Sequence, residues 1–246
     1  MTVEGGRQGT DLLLDNAVWH ALGSGDARVA ESHGDARRYR PDVSVFYGVD
    51  RLDDQGWAAL AELADAERPV VLFRAEIDDI PPGWTHLAGG NGHQMVLSDL
   101  RPDPGSASIR RLNTDDVPQM MELIHLTRPG PFLAGTIELG SYCGVFEDGR
   151  LMAMAGERMH LPGLAEISAV CTHPDIRRRG LGAAVTRHVA AGIIERGEVA
   201  FLHVAEDNDS ARRVYEQLGF VTRRIVKVEV LRPPVSLEDT GTHIDG

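Results

Sequence analysis

A short arginine- and glycine-rich segment is the part of the sequence that most directly indicates chemistry. The segment reads Arg177-Arg178-Arg179-Gly180-Leu181-Gly182, and an apolar helical pattern follows it. Unpaired N–H groups and the macrodipole at a helix start favour an anion, and glycines permit its close approach. The segment matches neither the Walker loop nor the dinucleotide-binding fingerprint. It therefore predicts a site for a small anionic ligand, and the alternative is a glycine-rich turn with surface arginines.

A second pattern lies about thirty residues downstream, after a predicted helix and a predicted strand. It places five residue types at fixed spacing, namely Asn208, Ala211, Tyr215, Gly219 and Phe220. Together the two segments resemble the two hallmarks of the GNAT superfamily, Q/R-x-x-G-x-G/A and N-x-x-A-x-x-x-Y-x-x-x-G-F. The resemblance covers about half of the chain, residues 106–232. It implies an acetyl-CoA-dependent N-acetyltransferase that acts on an amine.

The resemblance also assigns residues to acetyl-CoA. In the family, the strand before the first motif separates from the next strand, and the pantetheine arm fills the gap. Pantetheine would pair with the backbone of Val170, Cys171 and Thr172, and Asn208 would contact it from the other side. The first motif would hold the pyrophosphate through Arg177, Arg178, Arg179, Gly180, Leu181, Gly182 and Ala183. We expect no metal, because the histidines and the two cysteines show no ligand spacing.

Tyr215 is the candidate general acid. The family places a tyrosine here near the thioester sulfur, where a phenol can protonate the leaving thiolate. Without the two motifs, an aromatic on an amphipathic stripe would be read as a core residue. Cys171 suggests a covalent acyl-enzyme only weakly, since packing explains a strand cysteine better. A backbone N–H at or near Thr172 could polarise the thioester carbonyl.

The general base has three candidates. Glu166 lies eleven residues before Arg177, where the histone acetyltransferases of this superfamily carry their base. A solvent-facing strand glutamate is the alternative. His203 precedes Asn208 by five residues, where bacterial ribosomal-protein acetyltransferases carry a glutamate, and a structural strand histidine is the alternative. An ordered water is the third candidate.

Hydrophobic periodicity predicts the elements that position these residues. A strand over 109–112 precedes a helix capped by Thr114, and a meander of three strands follows over 142–147, 150–157 and 165–172. Asp148-Gly149 is a hairpin signal between the first two of these. A helix then runs to Gly197, a strand covers 199–204, a helix capped by Asn208 or Asp209 ends at Gly219, and a strand covers 226–230.

The first hundred residues carry no chemical motif. Patterns predict a helix over 12–22, a strand over 43–49, a helix after residue 54, strands over 70–73 and 94–97, and turns over 81–83 and 89–92. The predicted fold class is α/β with a mixed sheet. A Pro- and Gly-rich linker over 101–106 divides the chain into an N-terminal domain (1–104) and a GNAT domain (105–232), and a disordered tail (233–246) follows. This layout resembles glycine N-acyltransferase-like proteins, which pair a degenerate GNAT-like half with an active one.

Acceptor recognition is expected from the first loops of the GNAT half, through Phe132, Glu138 and Tyr142, with the N-terminal half covering the same face. That half lacks R-x-x-G-x-G, so it is expected to bind no CoA. The acceptor and the oligomeric state stay open. Two alternatives keep the fold: a CoA-binding regulatory module without turnover, and an enzyme that uses longer acyl groups or a hydroxyl acceptor.

Composition excludes several classes of protein. The net charge of −12 argues against nucleic-acid binding, which needs a basic face. No apolar run approaches a membrane span. The first nine residues lack the cationic start and apolar core of a signal peptide. Two cysteines cannot build a disulfide framework, so we expect both to be reduced in a cytoplasmic protein.

Overall fold

One continuous mixed sheet organises the protein, whose computed structural model describes residues 10–65, 67–102 and 107–234. Within these residues the sheet has eleven strands in the spatial order β1-β2-β3-β4-β11-β5-β10-β9-β8-β7-β6. The strands are β1 (Ala30–His33), β2 (Ala36–Tyr39), β3 (Phe46–Val49), β4 (Val70–Arg74), β5 (Thr85–Leu97), β6 (Ile109–Arg111), β7 (Tyr142–Glu147), β8 (Arg150–Leu161), β9 (Leu164–Thr172), β10 (Val199–Ala205) and β11 (Phe220–Arg232).

Helices cover both faces of this sheet. They are α1 (Ala17–Leu22), α2 (Asp54–Leu63), α3 (Val117–Thr127), α4 (Leu181–Glu195) and α5 (Asp209–Leu218), and residues 10–15 are also helical. Local signals set their ends. Asn208 Oδ1 accepts a hydrogen bond from the Ala211 N–H at 3.1 Å to start α5, and Gly219 ends it in the left-handed conformation at φ 105°. No helix among the described residues is long and apolar enough to cross a membrane.

Two apolar layers sandwich the central strands, as the alternation of side chains along β10 requires. Ala200 and Leu202 pack with α4 and α5 on one face. Phe201 packs on the other face with α1 and with the first three strands. The N-terminal segments therefore cover one face of the sheet that the C-terminal half builds.

Strand β5 joins the two halves of the chain most closely. It comes from the first hundred residues, yet it lies between β10 and β11, antiparallel to both. The predicted turn over 89–92 is wrong, because these residues lie inside β5 and pair with β11. A Cβ at Gly92 would stand 3.2 Å from the Val204 carbonyl oxygen. Close strand approach thus explains a glycine that the sequence alone presents as a turn signal.

The remaining fold predictions have mixed outcomes. The mixed α/β fold class is confirmed. The helix start at Thr114 is wrong: Asn113 Oδ1 accepts from the Asp115 N–H, and the Asp116 carboxylate accepts from the Asn113 N–H. A single 3-10 turn, Thr114–Asp116, then leads into α3. The division near residue 104 stays a prediction, and the sheet runs continuously between the two proposed domains. Expectations for residues 1–9, 103–106 and 235–246 lie outside the described residues.

Candidate functional site: a cleft between two parallel strands

Strands β9 and β10 separate part of the way along their length. They pair in parallel from Leu164 with Val199 to Ile167 with Leu202. Beyond that point both strands continue without pairing to each other, over Ser168–Thr172 and His203–Ala205. Backbone groups at the inner edges of this gap are therefore available to a ligand. This is the separation that the resemblance implied for Val170, Cys171 and Thr172.

A β-bulge directs β9 away from β10. Ala169 and Val170 together stand opposite the single residue Ala155 of β8, where the register of the two strands shifts. Ala169 has a φ of 53°, a left-handed conformation that is rare for a residue with a Cβ. Bulges bend a strand and often lie beside active sites. The strain is therefore located at the point where the cleft opens.

The first sequence motif, residues 177–182, forms an exposed loop at the start of α4, and we call it the anion loop. Arg178 and Gly180 both have positive φ values, 66° and 77°, and no side chain caps the helix. Arg179 pairs with Glu147 at 2.8 Å, whereas Arg177 and Arg178 have no ion-pair partner among the described residues. A Cβ at Gly182 would stand 3.3 Å from Thr172 Oγ1, so the first turn of α4 packs on the end of β9.

These features suit the phosphates of a CoA thioester. Helix α4 has fifteen residues, and its first N–H groups and the positive end of its macrodipole lie next to the end of β9, beside Arg177 and Arg178. Asn208 lies at the end of β10, exposed, with its Oδ1 occupied in capping α5. Among the described residues, no group of three or more histidine, cysteine, aspartate or glutamate side chains could hold a metal.

Tyr215 lines the cleft from α5. Its side chain is almost fully buried and packs edge-on against Phe220, with ring centroids 6.2 Å apart. Burial raises the pKa of the Tyr215 phenol well above its ordinary value, so the phenol is a proton donor at neutral pH. Burial also raises the pKa of Cys171 to about 12, which leaves a neutral thiol and disfavours a covalent acyl-enzyme.

Glu166 is fully buried and lies in an ion pair instead of facing solvent. Arg158 donates Nε to Oε2 at 2.7 Å and Nη2 to Oε1 at 2.6 Å. Burial alone would raise the pKa of Glu166, but the Arg158 charge and a hydrogen bond from His203 lower it to about 2. A carboxylate with so low a pKa, absent from the cleft lining, is a poor proton acceptor. Its geometry is that of a residue that orients its two partners.

His203 is the third member of this group and does line the cleft. Its Nδ1 lies 2.7 Å from Glu166 Oε1, and its Nε2 lies 3.0 Å from Gln94 Nε2. Gln94 Oε1 accepts from Arg223, so the amide nitrogen of Gln94 faces His203. The ring therefore carries its proton on Nδ1 and is neutral. Burial lowers the pKa of His203, against the opposing effect of Glu166. Arg158, Glu166, His203 and Gln94 form the buried polar cluster.

A cavity of about 440 Å³ extends from the cleft to the N-terminal segments. One wall consists of residues 167–170 and 203–205 together with Tyr215. A second wall is apolar and adjoins the first, because Phe73 packs edge-on against His203 with centroids 4.2 Å apart. It comes from β4, β11 and the start of β3, through Val45, Phe46, Val71, Phe73, Val228 and Val230. Backbone of residues 88–92 and the loop 129–131 complete it. The N-terminal half therefore contributes residues to the walls of this cavity.

The predicted acceptor residues lie elsewhere. Phe132 and Tyr142 are core residues that pack edge-on at 5.6 Å, and Glu138 is exposed and paired with Arg40 at 2.8 Å. None of the three lines the cavity. The sequence reading missed Arg158, which does line it. Glu157 and Arg158 are two adjacent charges in a strand, 151–161, that is apolar apart from them and His160, so the sequence marks the position but not its partner.

Comparisons with known proteins agree with this geometry. Residues 142–228 match the family model described as FR47-like protein. A mycothiol acetyltransferase from Mycobacterium avium is 37% identical over 84 residues, which are 30% of this chain and 27% of that protein. A mycothiol acetyltransferase from Acidimicrobium ferrooxidans is 25% identical over 189 residues, 70% of this chain and 55% of that protein. The chain thus spans about half or less of these two curated relatives.

A solved structure extends the likeness to nearly the whole chain. The solved structure is that of an acetyltransferase assigned to the GNAT family, from Novosphingobium aromaticivorans, and its sequence is 38% identical to this chain. It superposes with a TM-score of 0.83, covering 90% of this chain and 99% of its own. The shared region therefore includes the N-terminal segments as well as the cleft. On these grounds the chain belongs to the GNAT family.

Proposed function

We propose that this protein is an acetyl-CoA-dependent N-acetyltransferase that transfers the acetyl group directly to an amine. The observation that carries the proposal is the cleft itself: β9 and β10 separate at a bulge, and the anion loop packs against the end of β9. Tyr215 lies on the wall. Residues 177–183 would bind the pyrophosphate of acetyl-CoA. The backbone of Val170, Cys171 and Thr172 would pair with pantetheine, and Asn208 would approach it with its amide N–H groups.

Tyr215 is the proposed general acid. Its buried, protonated phenol can donate to the thiolate that leaves when the tetrahedral intermediate collapses. The attacking amine must first lose a proton. His203 suits this role better than Glu166, because it is neutral and lines the cavity. Its Nε2 lone pair becomes available when the Gln94 amide moves aside, and an ordered water is the alternative acceptor.

The N-terminal segments are proposed to form the acceptor side of the site. Under this proposal residues 1–104 shape the cavity without binding CoA, and residues 105–232 carry the chemistry. We place the protein in the cytoplasm, where acetyl-CoA is available and where the free thiols of Cys143 and Cys171 stay reduced. The names of the curated relatives make mycothiol-related amines one candidate group of acceptors.

Calorimetric titration with acetyl-CoA, followed by release of free CoA thiol in the presence of an amine library, tests the proposal. Micromolar binding and amine-dependent thiol release support an N-acetyltransferase. Binding without turnover on any amine would favour the CoA-binding regulatory module instead. Release that is faster with longer acyl-CoA would assign a different acyl group. No binding would overturn the proposal.

A further inference from the structure

Arg158 has one hydrogen-bonding edge that the protein leaves unused. Its Nε and Nη2 are both occupied by Glu166, whereas Nη1 makes no hydrogen bond to any described residue. The side chain is only 9% exposed, and it lines the cavity. Buried polar groups are almost always satisfied. An unused donor that faces a cavity beside the reacting centre therefore indicates that a ligand group satisfies it.

The charge of the buried polar cluster limits what that ligand group can be. Glu166 neutralises Arg158, and His203 is neutral, so the cluster carries no net charge. A carboxylate placed against Arg158 would add an uncompensated negative charge to a buried site, which is costly. An uncharged oxygen, such as a hydroxyl or an amide carbonyl, accepts the same hydrogen bond without that cost.

The apolar wall of the cavity, which adjoins Arg158, gives the second requirement. Phe46 and Phe73 stack at 5.8 Å, and the Arg158 guanidinium lies over the Phe46 ring at 4.8 Å from its centroid. Val71 and Val228 extend this apolar surface. A ligand that fills this end gains from burying an apolar group against these side chains.

Resting on the proposed function, we propose that the acceptor is a small primary amine that carries an apolar group and an uncharged oxygen. Arg158 Nη1 donates a hydrogen bond to that oxygen, and the apolar group lies against Phe46 and Phe73. Arg158 is then a specificity-determining residue for the acceptor. Free amino acids, which carry a carboxylate at this position, are poor acceptors.

Matched acceptors test this directly when kcat/KM is calculated on the concentration of unprotonated amine, because a simple alkylamine is more basic than the corresponding amino alcohol. Leucinol, leucine and 3-methylbutylamine share the apolar group and differ in carrying a hydroxyl, a carboxylate or no oxygen. The same holds for phenylalaninol, phenylalanine and 2-phenylethylamine. We expect kcat/KM for each alcohol to exceed that of both partners by about tenfold, the discrimination of one buried hydrogen bond. Equal values for the alcohol and the oxygen-free amine, or a preference for the carboxylate, would overturn the inference.

Two variants and a control separate this role from a structural one. Arg158→Met removes the donor and should make the alcohol and the oxygen-free amine equal. Glu166→Gln leaves the positive charge of Arg158 without its counter-charge, so the site should tolerate a carboxylate better. The kcat/KM of the carboxylate acceptor relative to that of the alcohol should therefore rise about tenfold. That ratio cancels any loss of catalysis common to both acceptors. Arg150→Gln, an exposed arginine on the same strand, should leave both ratios unchanged.

The proposed function and this inference fail in different ways. If acetyl-CoA binds but no member of either panel is acetylated, the inference is wrong and the cofactor site stands. If acetyl-CoA does not bind, both are wrong. If Arg158→Met does not fold, the inference is tested by Glu166→Gln alone. An unchanged ratio of carboxylate to alcohol kcat/KM in that variant overturns the inference.

Discussion

The anion loop and the buried polar cluster lie at opposite ends of one cleft and are built in opposite ways. The loop is contiguous, exposed and held by its own backbone, with left-handed residues at Arg178 and Gly180. The cluster is buried and brings together side chains from β8, β9, β10 and β5. Under the proposed function, the loop faces a ligand group that is common to the family, and the cluster faces the group that differs between acceptors. The form of the cluster depends on how distant segments pack.

This difference explains what a sequence can and cannot reveal. The anion loop and Tyr215 follow from local spacing, because a helix start and one helical stripe position them. Arg158 and Gln94 escaped prediction, since only the register of β8 on β9 and of β5 on β10 brings them to Glu166 and His203. The sequence makes Glu166 a candidate general base, but its ion pair with Arg158 is a long-range contact that no local pattern shows.

The same reasoning applies to the fold. Periodicity predicted most elements after residue 106 to within a few residues, because turns and caps mark their ends. The last strand is an exception, since it begins at Phe220 and not at residue 226. It did not predict that β5 lies between β10 and β11, nor that its glycines form a strand. Strand order depends on contacts between residues more than a hundred positions apart, which the sequence pattern of either strand does not encode.

The largest expected effect comes from removing the proposed acid at the point where the two regions meet. Tyr215→Phe should lower kcat by about 100-fold or more while leaving the affinity for acetyl-CoA unchanged, because a general acid acts only in the chemical step. Thiol release and calorimetry measure the two quantities. Tyr142→Phe is the control: its hydroxyl is buried without a partner among the described residues, so kcat should not change. An equal loss in both variants would contradict the assignment.

A second prediction concerns the contact that holds the N-terminal segment on β8. His160 lies between Asp26 and Glu157, with Nδ1 3.2 Å from Asp26 Oδ1 and Nε2 2.8 Å from Glu157 Oε2. Burial opposes the charged form, but these hydrogen bonds raise the pKa of His160 to about 9. Its contribution to stability is therefore complete below the ordinary histidine pKa and is lost as pH rises through 9.

His160→Asn should accordingly lower the free energy of unfolding by about 2–3 kcal/mol at pH 6, because the buried Asp26 and Glu157 lose their shared cationic partner. Asp26 keeps its hydrogen bond from the Tyr39 hydroxyl, and Glu157 keeps its ion pair with Arg196. The difference from the unmodified protein should shrink by pH 10. Urea denaturation at both pH values measures it, and His33→Asn, an exposed histidine paired with Glu62, is the control. A difference that is the same at both pH values would mean that charge on His160 does not contribute.

The anion loop should lose its ligand when its backbone is disturbed. Gly180→Val places a branched side chain at a φ of 77°, so the affinity for acetyl-CoA should fall by about tenfold or more. Gly149→Val is a matched control. Gly149 has the same φ of 77° and open space around its Cβ position, so it imposes the same strain in a hairpin away from the cleft. Calorimetry should show weakened binding only for the first variant.

The smallest expected effect is a shift of the pH profile, and it tests the buried cluster as a proton acceptor. Burial holds the pKa of His203 below its ordinary value, so the acid limb of kcat should lie below pH 6.5. Glu166 raises the pKa of His203, and Glu166→Gln should therefore move that limb to still lower pH. Amine titration belongs to the substrate and is common to both proteins, so it cancels in the comparison. His188→Asn, on the exposed side of α4, should leave the profile where it is. A limb that does not move in Glu166→Gln would assign the proton to water, and the cluster would then act only in holding the acceptor.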